Sequence, residues 1–281
     1  MNIAVCGGDE RSARLCGLLS EDGHRVRAYA LDGARMQEGV LKVNCPEGCL
    51  EGADAVILPL PASRGEGKLN APLCPRETLV AEILEKAPEG ALICAGKTDT
   101  LPEGRYIEDY AAREEFAVGN AALTAEGALE LAMAGSDGAL WKSRALVLGY
   151  GRIGKILAQR LLGMGAGVTV AARRDGDLAL AAAMGHNTLR LGDLDGRLGE
   201  FDYIFNTVPA PILGTKRLAQ IRGGVFMAEL ASAPGGFDVR RAEELGIRAI
   251  YAPGLPGKCA PAAAAKLMRE AIYGIIEEWE V

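Results

Sequence analysis

The sequence predicts an α/β protein made of two doubly wound parallel sheets with a cleft between them and a C-terminal helix. Three observations predict it. A glycine-rich turn at 149–154 follows the apolar run Ala145–Leu148 and precedes an amphipathic helix carrying Ile153, Leu157 and Leu161 on one face. Strands and helices alternate in both halves, the pattern of a parallel sheet with crossover helices. The 281 residues exceed one ordinary domain and suit two of about 120–150 residues each. We expect two Rossmann-like domains, 1–120 and 121–258, and a closing helix, 259–281, that returns to the first.

Taken in order, Ile3-Ala-Val5 enters the turn Gly7-Gly8 as a strand. It lacks the charged segment and cleavage site of a signal peptide, so a cytoplasmic protein is expected. A helical pattern follows over Arg11–Leu19, then strands at Gly23–Tyr29, Ala53–Pro59, Gly90–Cys94 and Arg105–Ile107, with a helix at Glu77–Lys86. The second half repeats this with strands at Ala145–Leu148, Gly167–Ala171, Phe201–Pro209, Gly224–Ala228 and Arg248–Ile250, and a helix at Arg241–Leu245. The joint is expected near residues 118–135, where Val118-Gly-Asn-Ala-Ala-Leu-Thr124 precedes a helix starting at Ala125, with Thr124 as its N-cap. After the turn-rich loop Ala252–Gly257, a last helix runs from Pro261 to about Glu278 with Leu267, Ala271 and Ile275 on one stripe.

Composition narrows the function. A net charge of −6 with mixed signs argues against nucleic acid, whose phosphates require a basic surface. No stretch reaches the roughly 20 apolar residues of a membrane span. Seven scattered cysteines fit small core residues in a reducing compartment, and Cys45-x-x-x-Cys49 has no second pair or histidine to complete a metal site.

The glycine turn Gly149-Tyr150-Gly151-Arg152-Ile153-Gly154 is the turn that sets a pyrophosphate on a helix N-terminus. About twenty residues on, where an acidic residue would accept from a ribose 2′-hydroxyl, the chain reads Ala172-Arg173-Arg174, and guanidinium groups there suit a 2′-phosphate. The cofactor expected is NADP(H), with Thr207, Val208 and Pro209 along the nicotinamide ribose. In the first half, Asp9 and Glu10 replace the open turn, and carboxylates at a helix N-terminus repel a pyrophosphate. That domain is read as the substrate side.

Several further features single out a family: Gly7-Gly-Asp-Glu-Arg11, Asn120-x-x-x-Thr124-x-Glu126-Gly127, Asn206-Thr-Val-Pro-Ala210, Leu230-Ala-Ser-Ala-Pro-Gly-Gly236, and Pro253-Gly-Leu-Pro-Gly257 before Ala260-Pro261. Together with the glycine turn they resemble the A chains of dipicolinate synthase, a likeness that runs along essentially the whole sequence. The resemblance implies an NADP-linked oxidoreductase that forms pyridine-2,6-dicarboxylate from dihydrodipicolinate in sporulating bacteria. It also implies a partner, the flavoprotein-like B subunit of dipicolinate synthase. The family's Lys-Thr pair after the last Ala-Pro is replaced here by Ala262-Ala263, so a carboxylate contact from that corner is either lost or moved to Lys258.

For such a substrate, aromatisation drives the reaction, and the protein must mainly orient the ring and neutralise two carboxylates. The carboxylate clamps expected are Lys258 and Arg64, with Arg11, Ser63, Asn120 and Thr124 as further substrate contacts. Asn206 and Ser232 are candidate hydrogen-bond donors to carboxamide or substrate, and Glu126 is the candidate for proton transfer. Neither His24 nor His186 lies in the C-terminal loop where a hydroxyacid dehydrogenase places its base. Alternative readings are an NADP(H) dehydrogenase of another small hydroxy or keto acid, or a non-catalytic nucleotide-binding module. For this architecture a homo-oligomer is the usual expectation.

Overall fold

The structure, a computed structural model, describes residues 1–279 and divides into two compact units. The first unit comprises Met1–Asn120 together with the segment from Pro256 onward, and the second spans Ala121–Leu255.

In the first unit the strands are β1 (Asn2–Cys6), β2 (Arg25–Tyr29), β3 (Val40–Val43), β4 (Ala55–Ile57), β5 (Leu92–Ala95) and β6 (Glu108–Asp109). They lie in the order β3-β2-β1-β4-β5-β6, all parallel. The helices are α1 (Glu10–Glu21), α2 (Pro46–Leu50), α3 (Val80–Lys86) and the start of α4 (Glu114–Gly135). Alternate residues of β1 serve opposite faces of the sheet. Ile3 and Val5 join a core with α1, and Ala4 and Cys6 join one with α2 and α3.

The second unit carries β7 (Arg144–Leu148), α5 (Arg152–Gly163), β8 (Gly167–Ala172), α6 (Asp175–Ala183), β9 (Asn187–Arg190), β10 (Tyr203–Asn206), α7 (Thr215–Leu218), β11 (Phe226–Glu229), α8 (Val239–Glu244) and β12 (Arg248–Tyr251). Its strand order, β12-β11-β10-β7-β8-β9, is that of the first sheet under the same counting. Both sheets therefore have the doubly wound dinucleotide-fold topology, as the strand–helix alternation predicted. The chain then returns to the first unit through α9 (Leu255–Cys259) and α10 (Pro261–Trp279). α10 lies on α1 and buries Met268, Ile272, Ile275 and Ile276 in that unit's core, each contributing about 1.5–3 kcal/mol of transfer free energy.

Three local expectations are corrected. α4 begins at Glu114 and runs unbroken through the expected joint, so Thr124 is a buried mid-helix residue and not an N-cap. Within it Gly119 serves close packing: a Cβ on it would stand 2.6 Å from Leu267 of α10. The strand expected at Arg105–Ile107 forms at Glu108–Asp109 instead, and Tyr106 is exposed. Two strands, β3 and β9, come from segments with no strand signal. They are the corresponding edge of each sheet and mostly solvated; β9 (Asn187-Thr-Leu-Arg190) is largely polar, and β3 (Val40-Leu-Lys-Val43) is a four-residue segment whose apolar side chains stay partly exposed.

Candidate nucleotide site

The turn after β7 is built by its glycines, each for a different reason. Gly149 holds φ +94°, and a Cβ there would lie 2.6 Å from Thr207 Oγ1 and 2.7 Å from Val208 Cγ2. Gly154 lets α5 meet the turn, because a Cβ would stand 2.3 Å from the Gly149 carbonyl oxygen. Gly151 differs: its φ is an ordinary −79°, and a Cβ would meet no protein atom within 4 Å. Packing does not demand a glycine at that position. Gly151 is also the N-cap of α5 and supplies no side-chain hydrogen bond to it. The first turn of α5 thus begins beside a residue without a side chain and with open space around its Cα, a setting that suits a phosphate.

A pocket of about 510 Å³ opens in front of this turn. Gly149, Tyr150, Gly151, Ala172, Arg173, Arg174, Thr207, Val208 and Pro209 all line it, so nine of the expected cofactor residues come together in the second unit. Arg152, Ile153 and Gly154 belong to the first turn of α5 and are not part of the lining. Thr207 is anchored at the floor, its hydroxyl donating to the Leu148 carbonyl at 2.8 Å. At the far end Arg173 is exposed, whereas Arg174 is tied to Asp177 by two hydrogen bonds of 2.8 and 3.0 Å. Asp177 lines the pocket too and cancels one of the two charges read there as phosphate ligands.

Tyr150 packs downward from the turn, with its ring edge-on to the buried His186 at 6.2 Å between centroids. Neither ring nitrogen of His186 bonds another described residue, and burial pushes its pKa below the usual value. It packs in the unit's interior.

Asn206 is corrected. It is 0% exposed, and its amide is committed internally to Val208 and Glu229, so it offers nothing to a ligand. Ser232 sits on an exposed turn whose carbonyl accepts from Gly235 N. Glu126 is not in a helix's first turn. It lies in mid-α4, exposed, and pairs with Arg160 at 3.0 Å.

In the first unit Arg11 is corrected as a substrate clamp. It is buried, bonds Asp9 through Nε and Nη2 at 2.9 Å each, and donates from Nη2 to the Leu60 carbonyl at 2.6 Å. Burial opposes ionisation of Asp9, but the hydrogen bond and charge of Arg11 outweigh it and hold the carboxyl below its usual range. Ser63 and Thr124 are buried and Asn120 is half-buried. Arg64 and Lys258 remain as exposed cations. Gly257, next to Lys258, abuts the Arg11–Asp9 pair: a Cβ on it would lie 2.9 Å from Arg11 Nε.

The residue that sequence reasoning missed is Glu229, buried at the end of β11. Its signal was a charge closing the otherwise apolar strand Phe226-Met-Ala, just before Ser232-Ala-Pro-Gly-Gly236. Among the described residues no group of three or more His, Cys, Asp or Glu is placed to hold a metal ion, and no helix is long and apolar enough to cross a membrane.

A family model described as the N-terminal domain of the dipicolinate synthase A chain matches residues 2–113. The chain is 30% identical over 291 residues to the dipicolinate synthase A chain of Bacillus subtilis (strain 168), covering 99% of this chain and 96% of that protein. It superposes on the crystal structure of the corresponding A chain from Bacillus halodurans with a TM-score of 0.86, at 28% identity and covering 98% and 97% of the two chains. A transhydrogenase structure from Sinorhizobium meliloti shares the fold at a TM-score of 0.71 and 15% identity, over 99% of this chain and 94% of that one. With matching residues running from β1 to α10, the chain belongs to the family of dipicolinate synthase A chains.

Proposed function

We propose that this chain is an oxidoreductase that uses NADP⁺ to convert dihydrodipicolinate to pyridine-2,6-dicarboxylate during sporulation, as the A chain of dipicolinate synthase, partnered by a B subunit. The observation that carries the reading is Gly151. No packing requirement explains a glycine there, and it opens an uncapped helix N-terminus onto a pocket with Arg173 at its far end, within a chain of this family.

Loss of one hydride and one proton from the dihydropyridine ring leaves the aromatic dicarboxylate. NADP⁺, when bound, takes up the hydride. The chain's own residues bind and orient. The first turn of α5 holds the pyrophosphate, Arg173 the 2′-phosphate, and the 207–209 turn the nicotinamide ribose. Exposed Arg64 and Lys258 supply positive charge for the two carboxylates. Because the product is aromatic, the proton leaves without a strong base. That suits a site whose one candidate for proton transfer, Glu126, is held in an ion pair.

The test couples the purified chain to a dihydrodipicolinate-forming enzyme and supplies NADP⁺ or NAD⁺, with and without the B subunit. Reduced cofactor and the ultraviolet absorption of the pyridine should rise together in equal amounts. Product formation that leaves the nucleotide oxidised would exclude the reading.

A further inference from the structure

Glu229 ends a strand of apolar residues and is 1% exposed, yet it keeps a carboxylate. An ionised group in such a place is expensive unless every lone pair finds a donor. Here only donors face it. Asn206 Nδ2 gives 2.7 and 3.0 Å contacts to its two oxygens, Ala231 N reaches Oε1 at 3.0 Å, and Gly236 N reaches Oε2 at 2.8 Å. Burial pushes the carboxyl above its ordinary range, while the bonds from Gly236, Asn206 and Ala231 pull the other way.

The acceptor-only character of Glu229 fixes which way the Asn206 amide points. With Nδ2 toward Glu229, that nitrogen also donates to the Val208 carbonyl at 2.9 Å, and Oδ1 receives Val208 N at 3.2 Å. Val208 is thereby clamped at both backbone groups. It lines the nucleotide pocket, with its Cγ2 in the space a Cβ on Gly149 would need. A glutamine at 229 has the same shape but one acceptor oxygen. Its NH₂ would face the N–H of either Ala231 or Gly236, and the Asn206 amide, losing one of its two acceptor oxygens at 229, would be held chiefly by the Val208 backbone.

We propose that Glu229 is the positioning residue of the nucleotide site. Its carboxylate, through Asn206, holds the 207–209 turn in the form that receives the nicotinamide half of the dinucleotide, and leaves the adenosine half to other residues. This rests on the pocket's being a dinucleotide site, as read above.

The experiment uses the full chain and Glu229→Gln, and measures thermal midpoint and equilibrium binding of NADPH and of adenosine 2′,5′-bisphosphate. The same ratio is read with NADH and AMP. In the folded variant, dinucleotide affinity should fall about tenfold, the loss of one hydrogen bond to a charged group, with the adenosine fragment within about twofold. Equal weakening of both ligands, or unchanged dinucleotide affinity, would overturn the positioning role. If Glu229→Gln does not fold, Glu229→Asp, which keeps the charge and shortens its reach, should show the same selective loss. Unfolding of both variants would also overturn the proposal, leaving Glu229 a requirement of the fold alone. A wild-type chain that binds neither dinucleotide would instead remove the site reading, and this proposal with it.

Discussion

The two units place a helix at the same point of the same topology and finish it in opposite ways. In the first, Asp9 is the N-cap of α1 and accepts from Arg11 N at 3.0 Å, and the Arg11 guanidinium lies across the carboxylate. In the second, Gly151 caps α5 with no side chain. The glycines differ likewise. A Cβ on Gly8 would lie 1.9 Å from Ser12 Oγ, whereas one on Gly151 would meet nothing. One helix end is sealed from within by its own carboxylate, and the other carries no side chain over it. The lesson is that a shared strand order makes the place for a ligand, and a few side chains at the first turn decide whether it is used.

Substituting the two glycines gives the sharpest way to break this contrast. Gly8→Ala should lose about 2–4 kcal/mol of stability, from the left-handed φ of +109° and the clash with buried Ser12, in chemical denaturation. Gly151→Val should melt like the wild type and lose more than about tenfold in NADPH affinity. A Gly151→Val chain that binds normally would mean that the end of α5 receives no phosphate.

Arg11→Met comes next. It strands the Asp9 carboxylate, and because that group is about one-third exposed the expected loss is about 2 kcal/mol, below the full figure for a buried pair. The contribution has a pH signature. The native Asp9 pKa lies below the unfolded one, so the pair's stabilisation is present above about pH 4 and fades as pH falls through the native value. Wild type and Arg11→Met should therefore converge in stability at acid pH, and parallel curves would remove the pair as the cause.

At the pocket's far end, Arg173→Asp should shift the NADP⁺ to NAD⁺ preference about tenfold toward NAD⁺, whereas Asp177→Asn, by freeing Arg174, should raise NADP⁺ preference about threefold. Binding ratios that stay fixed in both variants would move phosphate discrimination elsewhere. The smallest effect is expected from His186→Phe. The unfolded chain protonates this histidine near pH 6.5 and the native chain only lower, so the wild type loses stability as pH drops through that range. The variant should lose less between about pH 7 and 5 in thermal melts. An identical acid slope would show that the ring is not felt.

What could be seen in the sequence was whatever leaves a local pattern. The apolar runs of β1, β7 and β10 and the turn at 149–154 need only near neighbours to interpret, and they gave both sheets and most of the pocket lining. β3 and β9 were hidden because an edge strand faces water and keeps no apolar alternation. Thr124 misled because the start of a helix and the middle of a long one look alike when the preceding segment holds a glycine, until Leu267, far along the chain, is placed against Gly119. Arg11, Asn206 and Glu126 were chemically suitable ligands whose partners, Asp9, Glu229 and Arg160, only the fold brings within reach.

The route of the chain also bears on its birth. α10 supplies Met268, Ile272 and Ile275 to a core whose other parts come from the first 120 residues. On a ribosome, that earlier-made unit stays incomplete until the final helix emerges, whereas everything the middle unit needs has been translated by Leu255. We expect maturation to run from the inside of the sequence outward. A nascent chain truncated at Leu255 and joined to an unrelated arrest linker of about 40 residues, which fills the exit tunnel, should already resist protease across 121–255 while its N-terminal region is still cut. Protection that appeared first at the N-terminus would reverse this order.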